Sequence, residues 1–356
     1  MSKKIILTGG GTAGHVTPNI ALIPGLKARG YEIQYVGSYE GIEKKLIEEI
    51  GIPYTGIATG KFRRYLSAKN LTDPFRVLKG FGEAKKIMKN VAPDIVFSKG
   101  GFVSVPVVLA AKKYKIPVII HESDMTPGLA NKISMSAATK ICHNFPETAE
   151  YLPKDKALLT GSPIREELKK GDALAGLKMC HFSADKPVIM VIGGSLGAVA
   201  VNNAIRSSLD KLLLKYQIVH LCGKGKTDNS LEGKKGYTQF EYIKSELKDL
   251  FAMSDIIISR AGANAICEIA ALKKPNILIP LSAKASRGDQ LLNADSFKKQ
   301  GFSEVIQEED LTDELLVNTI DAVYHNRNQY ITAMEKAATN DAITTILNLI
   351  DDTVNT

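Results

Sequence analysis

The segment LTGGGTAGHVTPN, residues Leu7 to Asn19, places a glycine-rich turn between a strand-like run and a helix-like run. The apolar residues before it read as a strand, and the run that begins at Ile20 reads as a helix. Gly9, Gly11 and Gly14 fit the spacing G-x-G-x-x-G, whose glycines let the backbone approach a phosphate at a helix N-terminus. Dinucleotide enzymes and several other nucleotide-binding enzymes share this arrangement. The segment therefore predicts an α/β fold with a nucleotide-type loop, and it does not identify the nucleotide.

Strand-like apolar runs alternate with helix-length amphipathic segments along the chain, which favours parallel sheets covered by helices. The second half repeats the opening pattern, because an apolar run leads into the glycine loop Gly193–Gly197 and then into a helix. We therefore predict two doubly wound domains, 1–162 and 163–356, whose ligand binds in the cleft between facing sheets. The sequence leaves open whether a final helix, at about 330–351, packs back on the first domain. The predicted strands are Lys4–Thr8, Ile33–Val36, Ile95–Phe97, Val118–Ile120, Lys140–His143 and Ala157–Leu159, then Val188–Ile192, Ile218–Leu221, Tyr237–Phe240, Ile256–Ser259, Asn276–Ile279 and Ser303–Ile306.

The bulk composition is that of an ordinary globular protein, with 44% hydrophobic and 24% charged residues. No apolar run approaches the roughly 20 residues needed to span a bilayer, and the N-terminus shows no secretory signal peptide. The four cysteines lie far apart, which favours reduced thiols over a disulfide framework or a zinc site. The six histidines show no H-x-x-x-H spacing, so we expect no metal and no cofactor.

The net charge of +8 is concentrated between Lys61 and Lys89, where nine basic residues face only two acidic ones. Apolar residues recur through this block at helical spacing, so one interpretation is a core-facing stripe with a solvated basic face. The other interpretation is peripheral contact with anionic lipid. No motif supports nucleic-acid binding. The candidate membrane residues are Lys61, Arg63, Arg64, Phe75, Arg76, Lys79 and Phe81.

The first glycine loop lacks one part of the dinucleotide fingerprint. That fingerprint predicts an acidic residue at the end of the second strand, about 20 residues past the loop. Here the strand ends in Gly37-Ser38, and Glu40 lies beyond the turn. The loop instead carries His15 at the mouth of its helix, where the helix dipole disfavours the cation. A neutral imidazole can act as a general base, or it can simply hydrogen-bond backbone or phosphate, and both roles remain open.

Seven segments, in this order along nearly the whole chain, resemble the MurG family of UDP-N-acetylglucosamine transferases. They are GGGTAGHVTPN, KGGFVSVPVVLAA, HESDMTPGLANK, TGSPIREEL, GGSLGAVAVN, SRAGANAICEIAA and RGDQLLNA. The resemblance implies a B-type (GT-B) glycosyltransferase with two Rossmann-like domains facing across a cleft. It also implies UDP-GlcNAc as donor and lipid I, undecaprenyl-diphospho-N-acetylmuramoyl-pentapeptide, as acceptor. The product would be lipid II for peptidoglycan, made at the cytoplasmic face of the bacterial cell membrane by a peripheral protein.

The same resemblance implies roles for individual residues. Arg165 and Ser195 would contact the donor diphosphate, and the backbone of Ile243 would contact uracil. Glu268 would bind the ribose hydroxyls and Gln290 the hydroxyls of the transferred sugar. Further implied donor contacts are Thr12, Ala13 and Gly14 in the first loop, Ala263 and Asn264 in the nucleotide helix, and Asp124 and Asn293. Ala13 and Asp124 depart from the family, which often has Gly and Asn at these positions.

The expected reaction is one direct displacement, because an α-linked donor gives a β(1→4) product. His15 would take the proton of the attacking C4 hydroxyl, and a helix N-terminus near Ser195 would stabilise the departing diphosphate without a metal. Three alternatives remain open from the sequence: another GT-B enzyme such as a diacylglycerol glycosyltransferase or a UDP-sugar epimerase, a nicotinamide oxidoreductase, and a non-catalytic UDP-sugar binding protein.

Overall fold

The computed structural model describes residues 2–60, 69–193, 198–283, 288–337 and 341–356. The chain divides into two compact units. The first comprises Met1–Arg165 together with Asn340–Thr356, and the second comprises Glu166–Thr339. The division falls three residues after the predicted boundary, so Arg165 belongs to the first unit rather than to the second domain.

The first unit is built on a seven-stranded, all-parallel sheet with the order β3-β2-β1-β4-β5-β6-β7. Residues on β1 alternate between the two faces, so Ile5 and Leu7 join one apolar cluster and Ile6 joins the other. The register places Thr8, at the end of β1, beside Val36 and Ser98, so the carboxyl ends of three central strands lie together. The strands are β1 (Lys3–Thr8), β2 (Tyr31–Ser38), β3 (Tyr54–Ile57), β4 (Ile95–Ser98), β5 (Val118–Glu122), β6 (Lys140–His143) and β7 (Ala157–Leu159), and the helices between them are α1 (Thr17–Ala28), α2 (Ile42–Glu49), α3 (Lys69–Val91), α4 (Ser104–Lys113) and α5 (Leu129–Ser134).

The second unit repeats this plan with a six-stranded, all-parallel sheet in the order β10-β9-β8-β11-β12-β13. In each sheet the first strand pairs with the second and the fourth, which is the strand order of a Rossmann-like domain. The strands are β8 (Val188–Ile192), β9 (Gln217–Leu221), β10 (Tyr237–Phe240), β11 (Ile256–Ser259), β12 (Asn276–Leu278) and β13 (Ser303–Val305). The helices are α6 (Ala173–Cys180), α7 (Val199–Ser207), α8 (Leu209–Leu212), α9 (Leu247–Met253), α10 (Ala263–Ala271), α11 (Asp289–Lys299), α12 (Asp313–His325) and α13 (Arg327–Ala337).

The C-terminal segment forms α14 (Ala342–Asn355), which packs against α1 in the first unit. Its apolar residues Ile346, Leu347 and Ile350 join the cluster beneath the sheet, and Asp351 pairs with Arg29. Two helices occupy the range of the predicted final helix, about 330–351: α13 lies in the second unit, and α14 makes the contact with the first unit that the sequence left open.

All twelve predicted strands are present, with small differences at their ends, and β3 is an additional strand at the sheet edge. None of the helices in the described ranges is both long enough and apolar enough to cross a bilayer.

Candidate active site

The first glycine loop follows β1 and ends in a short 3-10 turn, Ala13–His15, immediately before α1. Glycine is needed here, because a Cβ on Gly9 would lie 2.5 Å from the carbonyl oxygen of His15. The Nδ1 atom of His15 lies 3.1 Å from the carbonyl oxygen of Gly10 and 3.1 Å from the hydroxyl of Thr12. Because a carbonyl oxygen can only accept, the Nδ1 contact with Gly10 requires the proton to be on Nδ1. The lone pair of the neutral ring is then on Nε2.

A second glycine pair follows β4 and contacts the first loop. Gly101 has φ +84°, and a Cβ at this position would lie 2.3 Å from the carbonyl oxygen of Gly10. The neighbouring Lys99 is 1% exposed, and its Nζ lies 2.6 Å from His121 Nδ1 and 2.5 Å from the hydroxyl of Ser123. These contacts tie the end of β4 to the end of β5.

The imidazole of His121 is held in the opposite tautomer to that of His15. Its Nε2 donates to the carbonyl oxygen of Gly161 over 2.9 Å, so Nδ1 accepts from Lys99. Burial and the adjacent Lys99 ammonium lower the pKa of His121 well below its ordinary value. His121 is therefore a neutral structural link between the β4 loop, the β5 loop and the turn after β7.

Glu122 organises the loop that contains the predicted site residue Asp124. The carboxylate of Glu122 accepts the backbone N–H groups of Asp124 at 3.0 Å and Gly128 at 3.0 Å, and the side chain of Asn131 at 2.8 Å. Burial raises the pKa of Glu122, and its hydrogen bonds oppose that shift. The loop that presents Asp124 is thus fixed from the inside by a buried acid.

In the second unit, the predicted donor residues follow the carboxyl ends of three strands. Ile243 comes three residues after β10, and α10 begins four residues after β11 with Gly262 as its N-cap. Asn264 and Glu268 lie one turn apart on α10, so they share one face of that helix. Gln290, in the first turn of α11, accepts the N–H of Leu281 just after β12. Ser195 lies outside the described residues.

Asn293, a further predicted donor contact, lies on α11 behind the loop that precedes α10. It is fully buried, and its side chain donates to the carbonyl oxygen of Ala261. The side chain of Asn293 thus supports the loop before α10 from within, and its contact with a donor stays a prediction. The adjacent Arg260 has a similar supporting role, because it donates to Ile279 and Pro280 carbonyls and pairs with Glu308.

Helix α3 divides the basic block into two parts with different environments. Phe75 and Leu78 are 74% and 67% exposed, whereas Ala84 and Met88 lie in the core. Phe81 is partly buried and packs against that core, and its place in a membrane surface stays a prediction. Arg76 and Lys79 are exposed beside Phe75 and Leu78, and Lys61, Arg63 and Arg64 lie outside the described residues.

The sequence prediction missed Glu43 and assigned no role to Lys99, His121 or Glu122. The last three stand at strand ends, where a polar residue is a recognisable signal. Glu43 is on α2, and its only sequence signal is the pair of glycines, Gly37 and Gly41, that precede it.

Two family models match the chain. The glycosyltransferase family 28 N-terminal domain matches residues 5–143, and the glycosyltransferase family 28 C-terminal domain matches residues 188–348. The chain is 66% identical to the UDP-N-acetylglucosamine–N-acetylmuramyl-(pentapeptide) pyrophosphoryl-undecaprenol N-acetylglucosamine transferase of Lachnospira eligens, over 98% of this chain and 99% of that protein. It is 63% identical to the protein of the same name from Lachnoclostridium phytofermentans, with the same coverage.

The crystal structure of Acinetobacter baumannii MurG superposes with a TM-score of 0.76 at 27% identity, covering 98% of this chain and 99% of that one. The predicted fold class, an α/β chain of two Rossmann-like domains, is confirmed by the two parallel sheets and by this match. Both halves match the family models, and the relatives align over nearly their whole length, so the chain belongs to glycosyltransferase family 28.

Proposed function

We propose that this chain transfers N-acetylglucosamine from UDP-N-acetylglucosamine to lipid I, which is N-acetylmuramyl-(pentapeptide) pyrophosphoryl-undecaprenol, and so forms lipid II for peptidoglycan. The observation that carries the proposal is the 66% identity, over 98% of the chain, to a relative whose name states this transfer. The chain is accordingly a hexosyltransferase that acts between a nucleotide sugar and a lipid-linked sugar.

His15 is the proposed general base. With the proton on Nδ1 and directed to the carbonyl oxygen of Gly10, the Nε2 lone pair takes the proton of the C4 hydroxyl of the N-acetylmuramyl sugar. The hydroxyl oxygen forms the new bond to C1 of N-acetylglucosamine from the face opposite the diphosphate. The bond between C1 and the diphosphate oxygen breaks, and UDP leaves with the electron pair. One displacement inverts the configuration at C1, from α to β.

The donor is proposed to bind mainly to residues of the second unit. Their positions support this, since ligands of open parallel sheets bind beyond the carboxyl ends of the strands. Ile243 binds uracil through its backbone, Glu268 the ribose hydroxyls, and Gln290 the hydroxyls of the transferred sugar. Arg165 and Ser195 stabilise the charge that develops on the diphosphate. The remaining proposed donor contacts are Thr12, Ala13, Gly14, Asp124, Ala263, Asn264 and Asn293.

The function is tested by incubating the full chain with a soluble lipid I analogue and a panel of UDP-sugars. We expect transfer from UDP-N-acetylglucosamine, with a β(1→4) linkage in the product. Formation of a UDP-sugar epimer, transfer to diacylglycerol instead of the lipid I analogue, or donor binding without turnover would each replace this proposal with one of the alternatives.

The base is tested by His15→Ala, with the exposed His325→Ala as the matched control. General-base catalysis contributes typically about 10²–10⁴-fold, so we expect kcat to fall by that factor with little change in acceptor KM. His325 lies at the end of α12, and its variant should keep wild-type kcat. A His15→Ala enzyme with full kcat would show that another group accepts the proton.

We also propose that the exposed half of α3 contacts an anionic membrane surface peripherally, on the cytoplasmic side. Phe75 and Leu78 supply exposed apolar surface, and Arg76 and Lys79 supply adjacent positive charge. Lys61, Arg63 and Arg64 extend the charge in sequence.

Co-sedimentation with vesicles, with and without anionic lipid, tests the membrane contact. Leu78→Ser should weaken binding, whereas Leu214→Ser, which changes an 80% exposed leucine of the second unit, should not. Equal binding to neutral and anionic vesicles would remove the electrostatic part of the proposal, and equal effects of the two substitutions would remove α3 from it.

A further inference from the structure

Glu43 is a fully buried acid that contacts the backbone of the first glycine loop. It lies in the first turn of α2 and is 0% exposed. Its Oε2 accepts the N–H of Gly11 over 3.1 Å. Its Oε1 accepts the N–H of Ser38 over 3.0 Å and the hydroxyl of Ser38 over 2.5 Å. Both carboxylate oxygens therefore act as acceptors, and Ser38 holds one of them while the other reaches the loop.

Three glycines leave the space that this carboxylate fills. A Cβ on Gly10 would lie 2.5 Å from Glu43 Cδ, and a Cβ on Gly41 would lie 2.1 Å from Glu43 Oε1. A Cβ on Gly37 would lie 2.8 Å from Glu43 Cγ. Gly10 comes from the loop after β1, Gly37 from the end of β2 and Gly41 from the turn after β2, so these segments leave room for one side chain.

The contacts of Glu43 and His15 converge on a single peptide group. The bond between Gly10 and Gly11 carries the N–H that donates to Glu43 and also the C=O that accepts from His15 Nδ1. A trans peptide is planar, with its N–H and C=O pointing in opposite directions. Holding the N–H toward Glu43 therefore directs the carbonyl oxygen toward His15. Glycines on both sides would otherwise allow the group to rotate at little steric cost.

We propose that Glu43 is a positioning residue for catalysis, because its hydrogen bond fixes the orientation of the Gly10–Gly11 peptide group and thereby selects the Nδ1–H tautomer of His15. Without the hydrogen bond from Gly11 to Glu43 the peptide group can rotate, and its carbonyl oxygen then no longer holds the proton on Nδ1 of His15. The proton moves to Nε2 in part of the population, and His15 in that form has no lone pair at the position proposed to face the acceptor hydroxyl. The inference rests on the proposed role of His15 as the base.

The test is Glu43→Gln, which keeps the size of the side chain and removes one acceptor. The amide oxygen can still accept from the two donors of Ser38, but the amide nitrogen then faces the N–H of Gly11 and cannot accept from it. The matched control is Asp94→Asn, which weakens a similar carboxylate contact with the N–H of Lys4 at the opposite end of β1.

Two measurements on the full chain are compared. Nitrogen-15 NMR of the imidazole ring should show His15 as the Nδ1–H tautomer in the wild type and in Asp94→Asn, and a mixture with the Nε2–H form in Glu43→Gln. Steady-state kinetics should show kcat lowered at least tenfold in Glu43→Gln, with KM for UDP-N-acetylglucosamine within twofold of the wild type.

The outcomes separate this inference from the proposed function. A wild-type ring in the Nε2–H form overturns the inference even if Glu43→Gln does not fold. An unchanged tautomer and unchanged kcat in a folded Glu43→Gln variant also overturn it. A wild-type chain with the expected tautomer but without transfer activity would instead contradict the proposed function and leave the positioning of the ring intact.

Discussion

The packing of α14 on α1 predicts a measurable coupling between Gly25 and Leu347. A Cβ built on Gly25 would lie 2.3 Å from Leu347 Cδ1, where ordinary contacts begin near 3.4 Å. Leu347 is 4% exposed and lies in the cluster beneath the sheet, so it has little room to move. Gly25→Ala should therefore overpack this contact at a cost of about 1–3 kcal/mol.

A double-mutant cycle isolates that cost from the helix propensity of alanine. Gly25→Ala also gains about 1 kcal/mol of helix propensity, and this gain is present in either background. Leu347→Ala removes the three atoms nearest the added methyl and by itself should cost about 2–5 kcal/mol. The difference between the effects of Gly25→Ala with and without Leu347 should then equal the overpacking cost of about 1–3 kcal/mol.

Hydrogen exchange of the full-length variants gives the free energy of opening for individual segments, so it can measure the coupling in the segments that contain the two residues. Peptides from α14 and α1 should show the coupling, and peptides from β8 and β9 in the second unit should serve as the unchanged control. A coupling below about 0.5 kcal/mol, which is the range of independent sites, would refute the close contact between the two helices.

Two further predictions concern the first unit. Burial raises the pKa of Asp351, but hydrogen bonds from Tyr31 and Arg29 outweigh this and leave it below its ordinary value of 3.8. Asp351 therefore contributes stability above that pH and loses the contribution as the pH falls further, so acid unfolding followed by circular dichroism should be shallower in Asp351→Asn. Gly101→Ala would place a Cβ at a φ of +84° and 2.3 Å from the carbonyl oxygen of Gly10. We expect this substitution to lower kcat by a larger factor than it changes KM for the donor, as measured by steady-state kinetics. Unchanged kinetics would show that the two glycine loops move independently.

The strand predictions succeeded because buried parallel strands form continuous apolar runs that end in glycine or polar residues. β3 was not predicted because it lacks this pattern. Tyr54–Ile57 is a short edge strand that contains Gly56, and Ile57 is its one fully buried residue. It is a strand because β2 offers it a hydrogen-bonding edge, which depends on tertiary structure.

Helix α3 continues through Gly80, although a glycine in a helix interior costs about 1 kcal/mol relative to alanine. Gly80 is useful in that helix, because a Cβ there would lie 2.0 Å from the carbonyl oxygen of Ala58. A residue that weakens an isolated helix thus permits close packing in the folded one, and local propensity alone could not distinguish the two roles.

Residues proposed to contact a ligand and residues that support them differ in how readily they can be recognised from the sequence. His15 stands directly after a glycine loop at a strand end, where the topology of a parallel sheet makes it conspicuous. Glu43 occupies an ordinary position on an amphipathic helix, and its role follows only when Gly10, Gly37 and Gly41 are seen around one carboxylate. The glycines at 10 and 41 are 31 residues apart in numbering, and neither has a positive φ that would explain it locally. Gly10 and Gly41 are not required by their own backbone conformation, and the neighbour that needs their space is Glu43, the acid proposed to position the first glycine loop.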